Sequence, residues 1–270
     1  GDSALGASQA GGFITVSAGG NIDFATISSG GFTSLSGTGL SSTITGTSAT
    51  SGAGFSANGA GPVTLGSVTA NGGSISVSGS GVSLTNATAA SNIDLSGGAG
   101  GIVSTGTLDA GYDVFASTNT GGNIALATVT ADHAISLVSA GAASLSNGLT
   151  TGLADESGYG TPPLSANIGI NAIGSITVGT ANAFNTIRLD SGTTTTATSL
   201  TAGDHVFGIA SGDTSITTIS AGDMLGLTAA SITGTGNWVA GEDIRLIAGN
   251  SAGNSVNAAS LTAGDDIDVQ

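Results

Sequence analysis

Apolar residues along this chain come in short alternating pairs, not in long runs and not at helical spacing. Phrases such as Ile187-Arg188-Leu189 and Ile244-Arg245-Leu246 place two aliphatic side chains on one face of an extended strand and the middle residue on the other. The pairs recur with a fixed period. Ile168, Ile187, Val206, Leu225 and Ile244 follow one another at 19-residue intervals, and Ile267 comes 23 residues after Ile244. Two places beyond each stand Ile170, Leu189, Gly208, Leu227, Leu246 and Val269, and six places before the later ones stand Leu200, Ile219, Trp238 and Leu261. A turn phrase precedes the anchors as Thr201-Ala202-Gly203-Asp204, Ser220-Ala221-Gly222-Asp223, Val239-Ala240-Gly241-Glu242 and Thr262-Ala263-Gly264-Asp265.

The N-terminal half carries a looser form of the same pattern. Ile93, Val114 and Ile135 are 21 residues apart, and Ile75 precedes Ile93 by 18. Self-similarity at such a period predicts stacked coils, each reading turn, short strand, turn, short strand. One coil cannot stand alone. Five or six small aliphatics at roughly 1.5–3 kcal/mol each do not offset the ordering of about 19 residues at roughly 1–2 kcal/mol each. Stacking supplies a continuous core and intercoil hydrogen bonds. At about 4.8 Å per coil, 13 or 14 coils would extend roughly 65 Å.

The expected organisation is therefore all-β: irregular coils over 1–149, a projecting loop over 150–165, and regular 19-residue coils over 166–270. The loop assignment rests on Pro162-Pro163, Asp155-Glu156 and Tyr159, which resemble no coil. The turn glycines are expected to supply positive φ, and the Asp and Asn beside them to bond the backbone two residues on. The chain stops at Asp265-Asp266-Ile267-Asp268-Val269-Gln270, inside a new repeat, which reads as an excerpt of a longer protein.

Composition sharpens this. There are 48 glycines among 270 residues, only three prolines, and 7% charged residues. Glycine-rich polar chains are commonly disordered, but the spaced β-branched residues here argue for thin ordered strands. Net charge is −15, from 17 acids against Arg188 and Arg245 alone. Such a surface repels phosphates and anionic bilayers, which excludes nucleic acid as a partner. No apolar run of about 18 residues predicts membrane insertion. There is no cysteine, hence no disulfide and no thiolate metal site.

Asp204, Asp223, Glu242 and Asp265 share one repeat position, with Asp243 and Asp266 in the next. Like charges stacked at coil spacing repel by about 1 kcal/mol per neighbour in water, and Ca²⁺ is the one ion such a column could take. Solvated turn carboxylates splayed into water and screened by salt are the favoured explanation of the column, and no other cofactor is implied. The pairs Asp132-His133 and Asp204-His205 do not form a triad, since neighbours along a strand point apart. Arg188 and Arg245 occupy one outward column three coils apart, too sparse for a substrate clamp. Trp238 continues the inward column of Leu200 and Ile219, whereas Phe207 faces outward beside Gly226. The Thr193–Thr198 string does not repeat across coils, which argues against an ice-binding ladder.

The 19-residue period and the phrases Ala263-Gly264-Asp265-Asp266-Ile267-Asp268-Val269, Ala240-Gly241-Glu242-Asp243-Ile244-Arg245-Leu246 and Gly121-Gly122-Asn123-Ile124-Ala125-Leu126 resemble the shaft repeats of filamentous-haemagglutinin-type exoproteins. The resemblance covers 166–270 well and 1–149 loosely. It implies a right-handed parallel β-helix, secretion to the surface of a Gram-negative bacterium through an outer-membrane partner, and adhesion to a host-cell or matrix glycan or protein receptor. The Asn-Pro-Asn signatures of that family's secretion domain do not occur, so the chain reads as shaft, without catalysis. Asp155, Glu156 and Tyr159 are the candidate ligand-contact residues. Two further classes fit a β-helix: a carbohydrate-active lyase or depolymerase, which needs a grouped set of acids on one face, and a glycan-binding adhesin module.

Overall fold

The computed structural model describes residues 1–152, 167–249, 251 and 253–270. Those residues form 26 strands and no helix. Strand pairing among the described residues is parallel, and the strands fall into two sheets of thirteen, long strands in one and short strands in the other. The fold is a β-solenoid of about thirteen turns. Its strands divide into two compact units, Gly1–Ala131 and Asp132–Gln270.

In the first unit the long strands are β1 (Ser3–Ala10), β3 (Ile22–Ser29), β5 (Ile44–Ser51), β7 (Val63–Ala70), β9 (Val82–Ala89), β11 (Ile102–Ala110) and β13 (Ile124–Ala131). The short ones are β2 (Ile14–Ala18), β4 (Thr33–Gly37), β6 (Phe55–Gly59), β8 (Ile75–Gly79), β10 (Ile93–Gly97) and β12 (Asp113–Thr118). Ile22, Ile44, Val63, Val82, Ile102 and Ile124 partner one another from rung to rung and line the interior. The expected file Ile75, Ile93, Val114 is found in the short strands, continued backwards by Phe55 and Thr33. Thr33 is a polar residue in an apolar file. Its hydroxyl is satisfied by Ser29 at 2.8 Å and Ser51 at 2.7 Å, which is the condition for burying it cheaply.

In the second unit the short strands are β14 (Ala134–Ser139), β16 (Ile168–Ala172), β18 (Ile187–Ser191), β20 (Val206–Ala210), β22 (Leu225–Ala229), β24 (Ile244–Ala248) and β26 (Ile267–Val269). The long ones are β15 (Ala143–Thr150), β17 (Ile176–Ala183), β19 (Thr195–Ala202), β21 (Thr214–Ala221), β23 (Ile232–Ala240) and β25 (Val256–Ala263). The predicted file is realised residue for residue: Ile168, Ile187, Val206, Leu225, Ile244 and Ile267 are successive register partners. Leu200, Ile219, Trp238 and Leu261 form a second file. The 23-residue step to Ile267 leaves this register intact, because the extra residues lie between β24 and β25. Of the predicted loop over 150–165, Thr150 instead closes β15, Thr151 and Gly152 follow it, and the remainder lies outside the described residues.

Most long strands show a phase slip. The pattern in β3 is inward at Ile22 and Phe24, outward at both Ala25 and Thr26, then inward at Ile27 and Ser29. Two consecutive outward residues mean the strand bends there, and Ala25 makes no register pair while its neighbours do. An eight-residue strand thus covers two faces of its coil.

Two expectations about the turns are corrected. The repeated glycines do not supply positive φ: among the described residues only Gly101, Gly121, Gly253 and Thr120 have it. Gly222, Gly241 and Gly264 are needed for another reason. A Cβ on each would collide with the carbonyl oxygen of the glycine one coil earlier, Gly203, Gly222 and Gly241 respectively. Adjacent turns stack backbone on backbone, and only hydrogen fits between them. Several turn Asn and Asp side chains bond the next coil instead of the backbone two residues on. Asn21 Oδ1 accepts from Thr43 N–H at 3.0 Å, Asn92 Oδ1 from Asp113 N–H at 3.4 Å, and Asp243 Oδ1 from Asp266 N–H at 3.1 Å, each one coil onward. The residue before the inward anchor therefore staples rungs together, adding a side-chain bond where the sheet ladder begins.

Candidate functional site

The acidic turn column is real as a stack. Asp223 N–H donates to Asp204 O at 2.8 Å, Glu242 N–H to Asp223 O at 2.8 Å, and Asp265 N–H to Glu242 O at 2.9 Å. Backbone bonding thus holds like charges at rung spacing. The Asp223 carboxylate pushes Glu242 above the usual carboxylate range, through its charge and then through a side-chain hydrogen bond, with Asp243 and Asp265 adding to it. Among the described residues no three His, Asp or Glu groups come together to hold a metal. Asp155, Glu156 and Tyr159 lie outside the described residues.

His205 does not work with Asp204. Its Nδ1 lies 3.7 Å from Asp223 Oδ2 on the next rung, beyond hydrogen-bond length, and its ring packs on Phe207 with centroids 5.3 Å apart. The His133 carbonyl accepts from the Asn167 amide at 2.9 Å.

The side chains that do gather are on the outward face of the short-strand sheet in the second unit. Alternation sets which residues face out, and in β2 to β8 of the first unit these are small and polar: Thr15 and Ser17, Ser34 and Ser36, Ser56 and Asn58, Ser76 and Ser78, with Asp94 and Phe115 following in β10 and β12. From β18 to β24 the same positions hold Arg188 and Asp190, Phe207 and Ile209, Gly226 and Thr228, Arg245 and Ile247. Both cations of the chain are among them. They line a groove of about 410 Å³ whose floor includes Gly208 and Leu227.

Each part of the groove has a local cause. Gly208 stands in the inward file without a side chain, and Leu227 leans beneath it, 2.9 Å from where its Cβ would be. Phe207 lies against Gly226, where a Cβ would sit 3.0 Å from the ring, so this glycine makes the space the ring occupies. Ile209, 52% exposed, adds apolar surface to the groove. Arg188 Nε donates to Asp190 Oδ2 at 2.8 Å along the same strand. The other Asp190 oxygen is shut off from water with no hydrogen-bond partner. Arg245 faces Asp268 on the next rung, Nε to Oδ2 3.6 Å, with its side chain 59% exposed.

Sequence reasoning placed Arg188, Arg245, Phe207 and Gly226 outward but did not join them, because the arginines are three rungs, about 14 Å, apart. Asp190, Ile209, Thr228 and Ile247, the second outward column, fill that interval. Their signal was the change from Ser to bulky residues at equivalent repeat positions. Comparison with protein-family models, curated proteins and solved structures finds no match.

Proposed function

We propose that this chain is a structural segment of a secreted bacterial surface adhesin, a rigid spacer that holds a binding region away from the cell. The observation that carries the reading is the unbroken register of Ile168, Ile187, Val206, Leu225, Ile244 and Ile267. Every rung there up to β24 is bonded to both neighbours, so bending requires breaking ladder hydrogen bonds and opening a packed aliphatic file. The resemblance of the Ala-Gly-Asp-Asp-Ile-Asp-Val phrases to filamentous-haemagglutinin shafts supports the adhesin context, export across the outer membrane of a Gram-negative cell by a secretion partner, and a glycan or protein receptor. The role assigned is mechanical and asks for no catalysis and no cofactor.

Exchange of the segment tests this. In the full-length chain, replacing these coils by an equal number of unrelated solenoid coils is expected to preserve adhesion, whereas deleting them shortens the standoff and lowers it. Loss of adhesion in the length-matched replacement would contradict a spacer role.

A further inference from the structure

We propose that the groove across β18–β24 is a binding site for a carboxylate-bearing saccharide. This goes beyond the spacer reading and does not depend on it, since a rod of any function could carry the groove.

Three features select the ligand class. The first is charge: in a chain of net charge −15, both arginines border one groove. Arg188 is neutralised by Asp190 at 2.8 Å, but Arg245 meets Asp268 only through Nε at 3.6 Å and is largely exposed. Its terminal nitrogens are the fork that a carboxylate pairs with. A phosphate- or sulfate-rich polymer would need a broader cationic surface than one available guanidinium.

The second feature is an apolar platform. The Phe207 ring, braced by His205 at 5.3 Å and seated over Gly226, together with Ile209 and Ile247, offers an apolar patch, and Gly226 beneath the ring is the register partner of Arg245 on the next rung. A pyranose has an apolar face of C–H groups and an equatorial rim of hydroxyls, which matches apolar floor and polar rim.

The third is an unmet acceptor. Asp190 lines the groove with one carboxylate oxygen buried and unbonded, a state that costs free energy until a donor arrives. The terminal torsion of Asp is soft, so a turn of the carboxylate that passes the Arg188 bond from one oxygen to the other presents an oxygen to a ligand hydroxyl. The volume, about 410 Å³, falls in the range of about 300–1,000 Å³ usual for small-ligand sites. A peptide is the poorer occupant. β18, β20, β22 and β24 are each paired on both sides, so an extended chain finds no strand edge to join.

The test is titration calorimetry of the intact chain with trigalacturonate in physiological salt, with neutral trigalactose and hexaglutamate as comparisons. Saturable binding of trigalacturonate is expected. Phe207→Ala and Arg245→Gln should each weaken it about tenfold or more, and Arg245→Lys less. Both positions face outward, so circular dichroism and melting temperature should be unchanged. The inference is overturned if trigalacturonate does not bind, if trigalactose binds as well, if hexaglutamate binds more tightly, or if both substitutions leave affinity intact in folded protein.

Discussion

Trp238 is fully buried against Gly234, four residues earlier in the same strand, where a Cβ would lie 2.7 Å from the indole ring. The glycine occupies the inward position that Ile216 holds on the preceding rung and Ala258 on the following one. A side chain missing from one file thus makes room for an oversized one in the next. In the first unit Gly46 makes room for Phe24 within a single file, the two being register partners in β5 and β3. Trp238→Ala should destabilise by about 3–5 kcal/mol, and Gly234→Ala should also lower stability, because overpacking against an aromatic ring costs about 1–3 kcal/mol. Chemical denaturation of the two variants checks both. As the chain's single tryptophan, Trp238 should emit at blue-shifted wavelength and resist acrylamide quenching until unfolding.

The turn glycines divide by the reason each is glycine. At Gly222 the obstacle is the Gly203 carbonyl of the previous coil, so Gly222→Ala must push two rungs apart and is expected to cost about 1–3 kcal/mol. At Gly121 the φ is +81° with open space around the Cβ position. Asn tolerates that conformation, so Gly121→Asn should be nearly neutral. Paired melting curves decide the matter. Equal losses at both sites would refute the stacked-backbone explanation.

Asn167 is wholly buried, donates to His133 O at 2.9 Å and Gly152 O at 3.2 Å, and accepts from the Asn185 backbone N–H. It ties three segments of the second unit at the point where β16 begins. Asn167→Ala strands these groups without water and should destabilise by about 1–3 kcal/mol. Asn21→Ala, which removes one part-buried bond to Thr43 N–H, should cost clearly less. The comparison is made by urea titration.

Two carboxyls are raised above their usual range: Glu242 chiefly by the charge of Asp223, and Asp94 by desolvation and then by Asp113. A carboxyl with a raised folded-state pKa binds its proton more tightly folded than unfolded. Its effect on stability is therefore best below the ordinary carboxylate range and is lost as pH rises through the window just above it. Melting temperature should thus fall, not rise, between pH 4 and pH 6, and Glu242→Gln should flatten part of that slope. A melting temperature that climbs steadily from pH 4 to pH 6 would contradict the assignment.

Much of the fold was legible because the repeat is one-dimensional. Once Ile187, Val206 and Leu225 are seen at equal spacing, stacking and inward direction follow together, and Trp238 falls into its file by counting. The chemistry of the turns was not legible in the same way. Whether a glycine serves φ or close approach, and whether Asn21 bonds its own turn or the next, depends on the neighbouring coil, which no local motif encodes. The groove escaped for a related reason. Asp190, Ile209 and Ile247 are unremarkable singly and become a surface only when adjacent rungs set them side by side.

The central claim is that rungs stack with Thr201 beside Ser220 and Asn182 one rung further away. The chain has no cysteine, so introduced pairs report without background. Neighbouring rungs about 4.8 Å apart lie within the Cα separation of about 4.4–6.8 Å that a disulfide spans, whereas alternate rungs do not. Under mild oxidation the double variant Thr201→Cys, Ser220→Cys should form an intramolecular disulfide in the folded state, and Asn182→Cys, Ser220→Cys should not. Failure of the first pair to close, or equal closure of the second, would contradict the solenoid.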